Sequence, residues 1–194
     1  NEAINRYKHN DLEITGNKAE KLTRLKKSVT TIKNCELKKN ATNIVFADGN
    51  PKAKIMFVGE GPGSNEDLEG IPFVGRAGAL LDKMLASINL DRKNIYITNV
   101  VNYRPPEKHI EIINPKILVL LGSTAMTALM GDKEVISKMR GKWIEKKIGN
   151  CKTSVIITFH PAFLMRQPVQ KKMAWIDLKM IKKKIAELKI KIEK

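Results

Sequence analysis

The chain has 194 residues, 42% of them apolar, which suits one domain spanning 1–194 with a sizeable core. It holds no apolar run long enough to cross a membrane and no amino-terminal signal pattern, so a membrane partner is not expected and a cytoplasmic location is. The formal charge of +16 points to a polyanionic partner, and two cysteines, Cys35 and Cys151, are too few for a disulfide framework or a four-thiolate site.

Leu22, Leu25, Val29 and Ile32 recur at helical spacing and predict an amphipathic helix. Ile55 to Val58 then forms a short apolar run that ends in Gly59-Glu60-Gly61-Pro62-Gly63. A second glycine-rich stretch, Pro72-Phe73-Val74-Gly75-Arg76-Ala77-Gly78, leads into Leu80, Leu81, Met84, Leu85 and Ile88, again at helical spacing. Three more apolar runs, Ile95 to Val101, Ile117 to Leu121 and Val155 to Phe159, read with the first as strands buried on both faces. Gly122-Ser123-Thr124-Ala125 predicts a helix start capped by hydroxyls, and Leu178, Ile181, Ile185, Leu188 and Ile192 mark a last helical stripe. The fold class expected is α/β: a three-layer α/β/α domain around a central parallel sheet of about four strands.

Positive charge gathers at the far end. Residues 171 to 194 hold nine lysines against Asp177, Glu187 and Glu193, so six of the sixteen excess charges fall on one segment. Either contact with nucleic acid or a solvated helix face accounts for that, and abundant lysine, isoleucine and asparagine also follow from an AT-rich genome.

The glycine run after the first strand lacks the Rossmann fingerprint and any Gly-Lys-Ser/Thr ending, so dinucleotide and P-loop chemistry are disfavoured. Two readings stay open: a tight turn, or a loop whose bare backbone and acid, Glu60, face a ligand. The other strand ends carry Asn99, Ser123 and His160. In a doubly wound sheet those ends share one edge, so residues distant in sequence meet in one pocket. Each has a plainer reading: Asn99 satisfying backbone groups, Ser123 an N-cap, His160 a turn residue before Pro161. Phe73 is either core or a stacking face for a planar ligand. If that ligand is a nucleobase, Phe73, Asn99 and His160 make a coherent recognition set.

In these motifs, with Thr42-Asn43-Ile44-Val45-Phe46, Thr98-Asn99-Val100-Val101, Arg104-Pro105-Pro106, Leu121-Gly122, Arg140-Gly141-Lys142-Trp143 and His160-Pro161-Ala162-Phe163-Leu164-Met165-Arg166, the chain resembles the uracil-DNA glycosylases, specifically the family-four, iron–sulfur-type branch. The resemblance implies a repair enzyme that flips uracil out of single- or double-stranded DNA and hydrolyses its N-glycosidic bond in base excision repair. Gly59, Gly61, Phe73, Asn99 and His160 would bind uracil, with Glu60, Asn99 and His160 catalytic. Pro62, Gly63, Arg104, Ser123, Leu164, Met165 and Arg166 would touch DNA, the last three as a wedge filling the gap left by the flipped base. A monomer is expected.

The chain departs from the family where the cluster is held. Cys35 matches the second cluster cysteine, whereas Ile32 stands at the first position and Tyr103 at the third. The fourth falls in a segment of about twenty residues missing between Pro106 and His109, the length of a helix and loop. No metal ligands and no iron–sulfur cluster are therefore expected. The alternative function is a catalytically weak, glycosylase-like DNA-binding or replication-associated module.

Overall fold

The computed structural model describes residues 15–32, 39, 41–101, 106–131 and 134–192. In chain order its elements are α1 (Lys18–Thr30), β1 (Asp48–Gly49), β2 (Ile55–Gly59), α2 (Ser64–Glu69), α3 (Arg76–Ala86), β3 (Tyr96–Asn99), α4 (Glu107–Ile113), β4 (Ile117–Leu121), α5 (Ser123–Met130), α6 (Ile136–Met139), β5 (Trp143–Ile148), β6 (Cys151–Thr158), α7 (Pro161–Arg166) and α8 (Lys171–Glu187).

The four expected strands are β2, β3, β4 and β6, and they run parallel in the middle of one sheet. The sheet is wider than expected, with order β1-β3-β2-β4-β6-β5 and an antiparallel strand at each edge. Residues along β2 and β4 alternate between two cores. Ile55, Phe57, Ile117, Val119 and Leu121 pack with α3, α7 and α8, while Met56, Val58, Leu118 and Leu120 pack with α1, α4 and α5. Both faces of the central strands are thus covered, which is why they read as continuous apolar runs. Each large side chain fully buried there contributes about 1.5–3 kcal/mol relative to exposure.

Ile88 and Ile192 lie beyond the helices whose stripes predicted them, and Leu188 is exposed at the end of α8. The cap of α5 is Gly122, which has no side chain; the expected hydroxyl cap does not form, and Ser123 is the first helical residue.

One buried polar lock fastens α8 to the sheet. Asp177 is fully buried and accepts from Thr158 Oγ1 at 2.7 Å, from Arg140 Nε at 3.1 Å and from Arg140 Nη2. The Arg140 guanidinium also donates to the Met173 carbonyl at 2.8 Å and lies 5.3 Å over the Phe159 ring. A buried carboxylate is tolerated only with such a full set of partners, and removing one partner of such a pair costs about 3–5 kcal/mol.

Candidate active site

The parallel strands put their carboxyl ends on one edge. Gly59 of β2 pairs in register with Asn99 of β3. A Cβ on Gly59 would sit 2.5 Å from Asn99 Oδ1 and 2.5 Å from Phe73 Cζ, so only bare backbone lets the amide and the ring meet there. The amides of Val100 and Val101 donate to the Gly59 and Glu60 carbonyls at 2.9 and 2.8 Å, fixing the start of the glycine loop. Asn99 is 1% exposed, and its Oδ1 has no hydrogen-bond partner. An unpaired buried acceptor costs about 1–3 kcal/mol.

Phe73 is held in the left-handed region at φ 58, a conformation that costs a non-glycine residue about 1 kcal/mol or more. The Phe73 carbonyl closely approaches Gly78, where a Cβ would lie 1.7 Å from its oxygen, so that position takes glycine. The ring belongs to the core cluster and is 5% exposed, with its centroid 5.6 Å from that of His160. Phe73 is thus a core residue whose ring neighbours His160.

His160 follows β6 and caps α7 with its own ring. The Ala162 amide donates to Nδ1 at 3.1 Å. Burial lowers the His160 pKa, with Glu60 pulling weakly the other way, so the imidazole is neutral at pH 7. With Nδ1 accepting, the proton resides on Nε2, and the ring presents a donor.

In front of these residues lies a cavity of about 730 Å³. Glu60, Gly61, Pro62, Gly63, Ser123, His160 and Arg166 line it, together with Asp67, Val101, Ile136 and Phe163 among others. Gly59, Phe73 and Asn99 are not in its wall; they form a tight inner group that joins it through His160. The expected wedge needs one correction. Leu164 is 1% exposed and packs in the core with α3 and α8, because it falls on the inward side of α7; Met165 is half-buried and Arg166 exposed. Arg104, Cys35 and Tyr103 lie outside the described residues.

Two acids near the site were not singled out in the sequence. The Glu66 carboxylate accepts from the Gly63 amide at 3.0 Å and the Gly75 amide at 2.9 Å, tying the two glycine loops together. Its signal was the capping spacing of Glu66, three residues after Gly63. Asp67 accepts from the Thr42 and Asn43 amides at 3.0 and 3.2 Å, which hold its pKa below the usual carboxylate value. Among the described residues no cluster of three or more His, Cys, Asp or Glu could hold a metal. Cys151, the described cysteine, is buried with its Sγ 3.7 Å from the Pro115 carbonyl.

A buried amide with an unpaired acceptor, a neutral imidazole and an aromatic ring thus gather around bare glycine backbone at the carboxyl edge of the sheet. A family model, that of the uracil DNA glycosylase superfamily, matches residues 46–179. A type-4 uracil-DNA glycosylase of Thermotoga maritima is 43% identical over 150 residues, covering 68% of this chain and 77% of that protein. One from Archaeoglobus fulgidus is 38% identical over 183 residues, covering 84% of this chain and 92% of that protein. A DNA polymerase of Bacillus phage SP01 is 30% identical over 138 residues, covering 62% of this chain but 14% of that protein. The chain belongs to the uracil-DNA glycosylase superfamily.

Proposed function

We propose that this chain is a uracil-DNA glycosylase that releases uracil from DNA and leaves an abasic site, the first step of base excision repair. The observation that carries the reading is the lone Asn99 Oδ1, buried beside Phe73 and Gly59. Uracil offers an N3–H donor next to an O4 acceptor, and a carboxamide complements both. Cytosine offers an acceptor at N3 and would leave Oδ1 facing a lone pair.

Glycosidic bond cleavage leaves cationic character on the sugar and negative charge on the base. Nε2–H of His160 donates to O2 as that charge grows, and it does so without transferring its proton. Glu60 orients a water below the sugar. The water oxygen bonds to C1′, the C1′–N1 bond breaks with its electron pair going to the base, and the released proton passes to solvent or to the departing anion. Phe73 supports the base by stacking, Gly59 and Gly61 allow close approach, and Pro62, Gly63 and Ser123 meet the DNA backbone. Met165 and Arg166 fill the gap in the duplex, with Arg104 a further phosphate contact. The charge of +16 favours DNA through counterion release.

We infer that this chain works as a single-domain monomer without an iron–sulfur cluster. Such a cluster takes four thiolates, and the sequence contains Cys35 and Cys151 alone, the second buried on β6. No step above depends on one.

A second reading has one observation in its favour: the match to 14% of a protein named as a DNA polymerase, where a glycosylase-like stretch forms part of a larger chain. On that reading the domain binds DNA in replication and is catalytically weak. Uracil release from labelled single- and double-stranded oligonucleotides separates the two. Release abolished by Asn99→Asp and His160→Ala supports the enzyme; tight binding with no release supports the module.

A further inference from the structure

We infer that Arg92 is a positioning residue for the base site, aiming the Phe73 ring by gripping its backbone. The inference rests on the stacking role proposed for Phe73. Arg92 lies between α3 and β3, and no sequence motif drew attention to it.

All five of its N–H groups are used. Nη2 donates to the Phe73 carbonyl, and Nη1 donates to the Pro72 carbonyl at 3.0 Å. The remaining donors go to Asp48 Oδ2 at 2.7 Å and to Asp82, with Nε 2.9 Å from Oδ1 and Nη2 3.5 Å from Oδ2. Asp48 sits on edge strand β1 and Asp82 on α3, so two acids on different elements aim one planar fork at two consecutive carbonyls.

Those carbonyls belong to the residue held at φ 58 and the one before it. Gly78 leaves room for the Phe73 carbonyl, where a Cβ would be 1.7 Å away, and the guanidinium donates to it. The backbone held in this way carries the ring, which lies against Gly59 and Asn99 and alongside His160. Lysine keeps the charge at this position but cannot reach both carbonyls and both acids with one planar group.

The test uses Arg92→Lys in wild-type and Phe73→Leu backgrounds, with uracil release under single-turnover conditions. All five phenylalanines are also labelled as 4-fluorophenylalanine and read by fluorine NMR, the Phe73 signal being the one lost in Phe73→Leu. We expect Arg92→Lys to slow release by about tenfold or more, as displaced groups do in active sites. In the Phe73→Leu background the same change should cost less than about twofold, because its route to the site is gone. The Phe73 fluorine signal should shift or broaden while the other four hold. Equal slowing in both backgrounds, or an unmoved Phe73 signal, overturns the inference. Should Arg92→Lys fail to fold, Asp82→Asn loosens the same fork from a half-exposed position and is read in the same way. If the unmodified protein releases no uracil, the proposed activity fails; the fluorine signal still decides whether Arg92 sets the ring.

Discussion

The rings of Phe73 and His160 lie with centroids 5.6 Å apart and planes 31° from parallel. The group expected to stack on the base and the group expected to stabilise its charge therefore touch, although 87 positions separate them in the chain. Moving either moves the other, so the positions around them are coupled rather than independent.

Asn99→Asp replaces the amide donor by a second acceptor and sets a charge against uracil O4. Uracil release should fall by about a hundredfold or more, with the uracil-to-cytosine ratio moving towards cytosine. Competing oligonucleotides containing one uracil or one cytosine measure it; an unchanged ratio would remove Asn99 from base recognition.

His160→Ala should reduce release by about 10²–10³-fold while affinity for DNA changes little. The proton's location can be checked directly. Nitrogen-15 NMR at pH 6.5 should find Nε2 protonated and Nδ1 bare, because the Ala162 amide occupies Nδ1 and burial disfavours the cation. A doubly protonated ring at that pH would contradict the neutral-donor assignment.

Glu66→Gln leaves one oxygen for two glycine amides, so either Gly63 or Gly75 faces an NH2 group. Urea unfolding should show a loss of about 1–2 kcal/mol. Release should slow as well, since the two loops no longer move as one. A variant as stable and as fast as the parent would show that the bridge is dispensable.

His109 sets an acid limit on stability. It is 2% exposed against Phe46, with Nδ1 3.1 Å from the Tyr96 hydroxyl, and burial pushes its pKa from 6.5 down to about 4. Between those values the unfolded chain binds a proton that the folded one refuses. Stability should therefore fall as pH drops from about 6.5 towards 4, by about 3 kcal/mol, and be unaffected by this group above that window. His160, also lowered, adds in the same direction. Urea titrations across the range, with His109→Gln flattening the slope, test it.

The central sheet and the edge that gathers Glu60, Asn99, Ser123 and His160 were legible because strands buried on both faces carry unbroken apolar runs and because polar residues stood out at their ends. The edge strands were not. Trp143–Ile148 has three consecutive charged residues between apolar ones and is half-solvated, so it shows no strand period, and its clearest mark was the two-residue Gly149-Asn150 turn before Cys151. Asp48–Gly49 is too short to carry a period at all. Leu164 was misread because a six-residue helix shows less than two turns, too little to say which side faces in. Arg92 was missed for a different reason: it donates to main-chain carbonyls nineteen and twenty positions away, and such partners leave no trace in side-chain patterns, whereas the capping spacing of Glu66 showed its bond to Gly63 but not the one to Gly75.

Asp177 comes later in the chain than every proposed site residue, yet Thr158, two residues before His160, donates to it. A chain still emerging from the ribosome would hold the whole recognition set while Thr158 and Arg140 wait for their shared carboxylate. The strand that leads to the imidazole, paired through its backbone with β4 and β5, gains its side-chain tie only when α8 docks. The setting of the imidazole is thus completed by a helix that lends no residue to the proposed site itself.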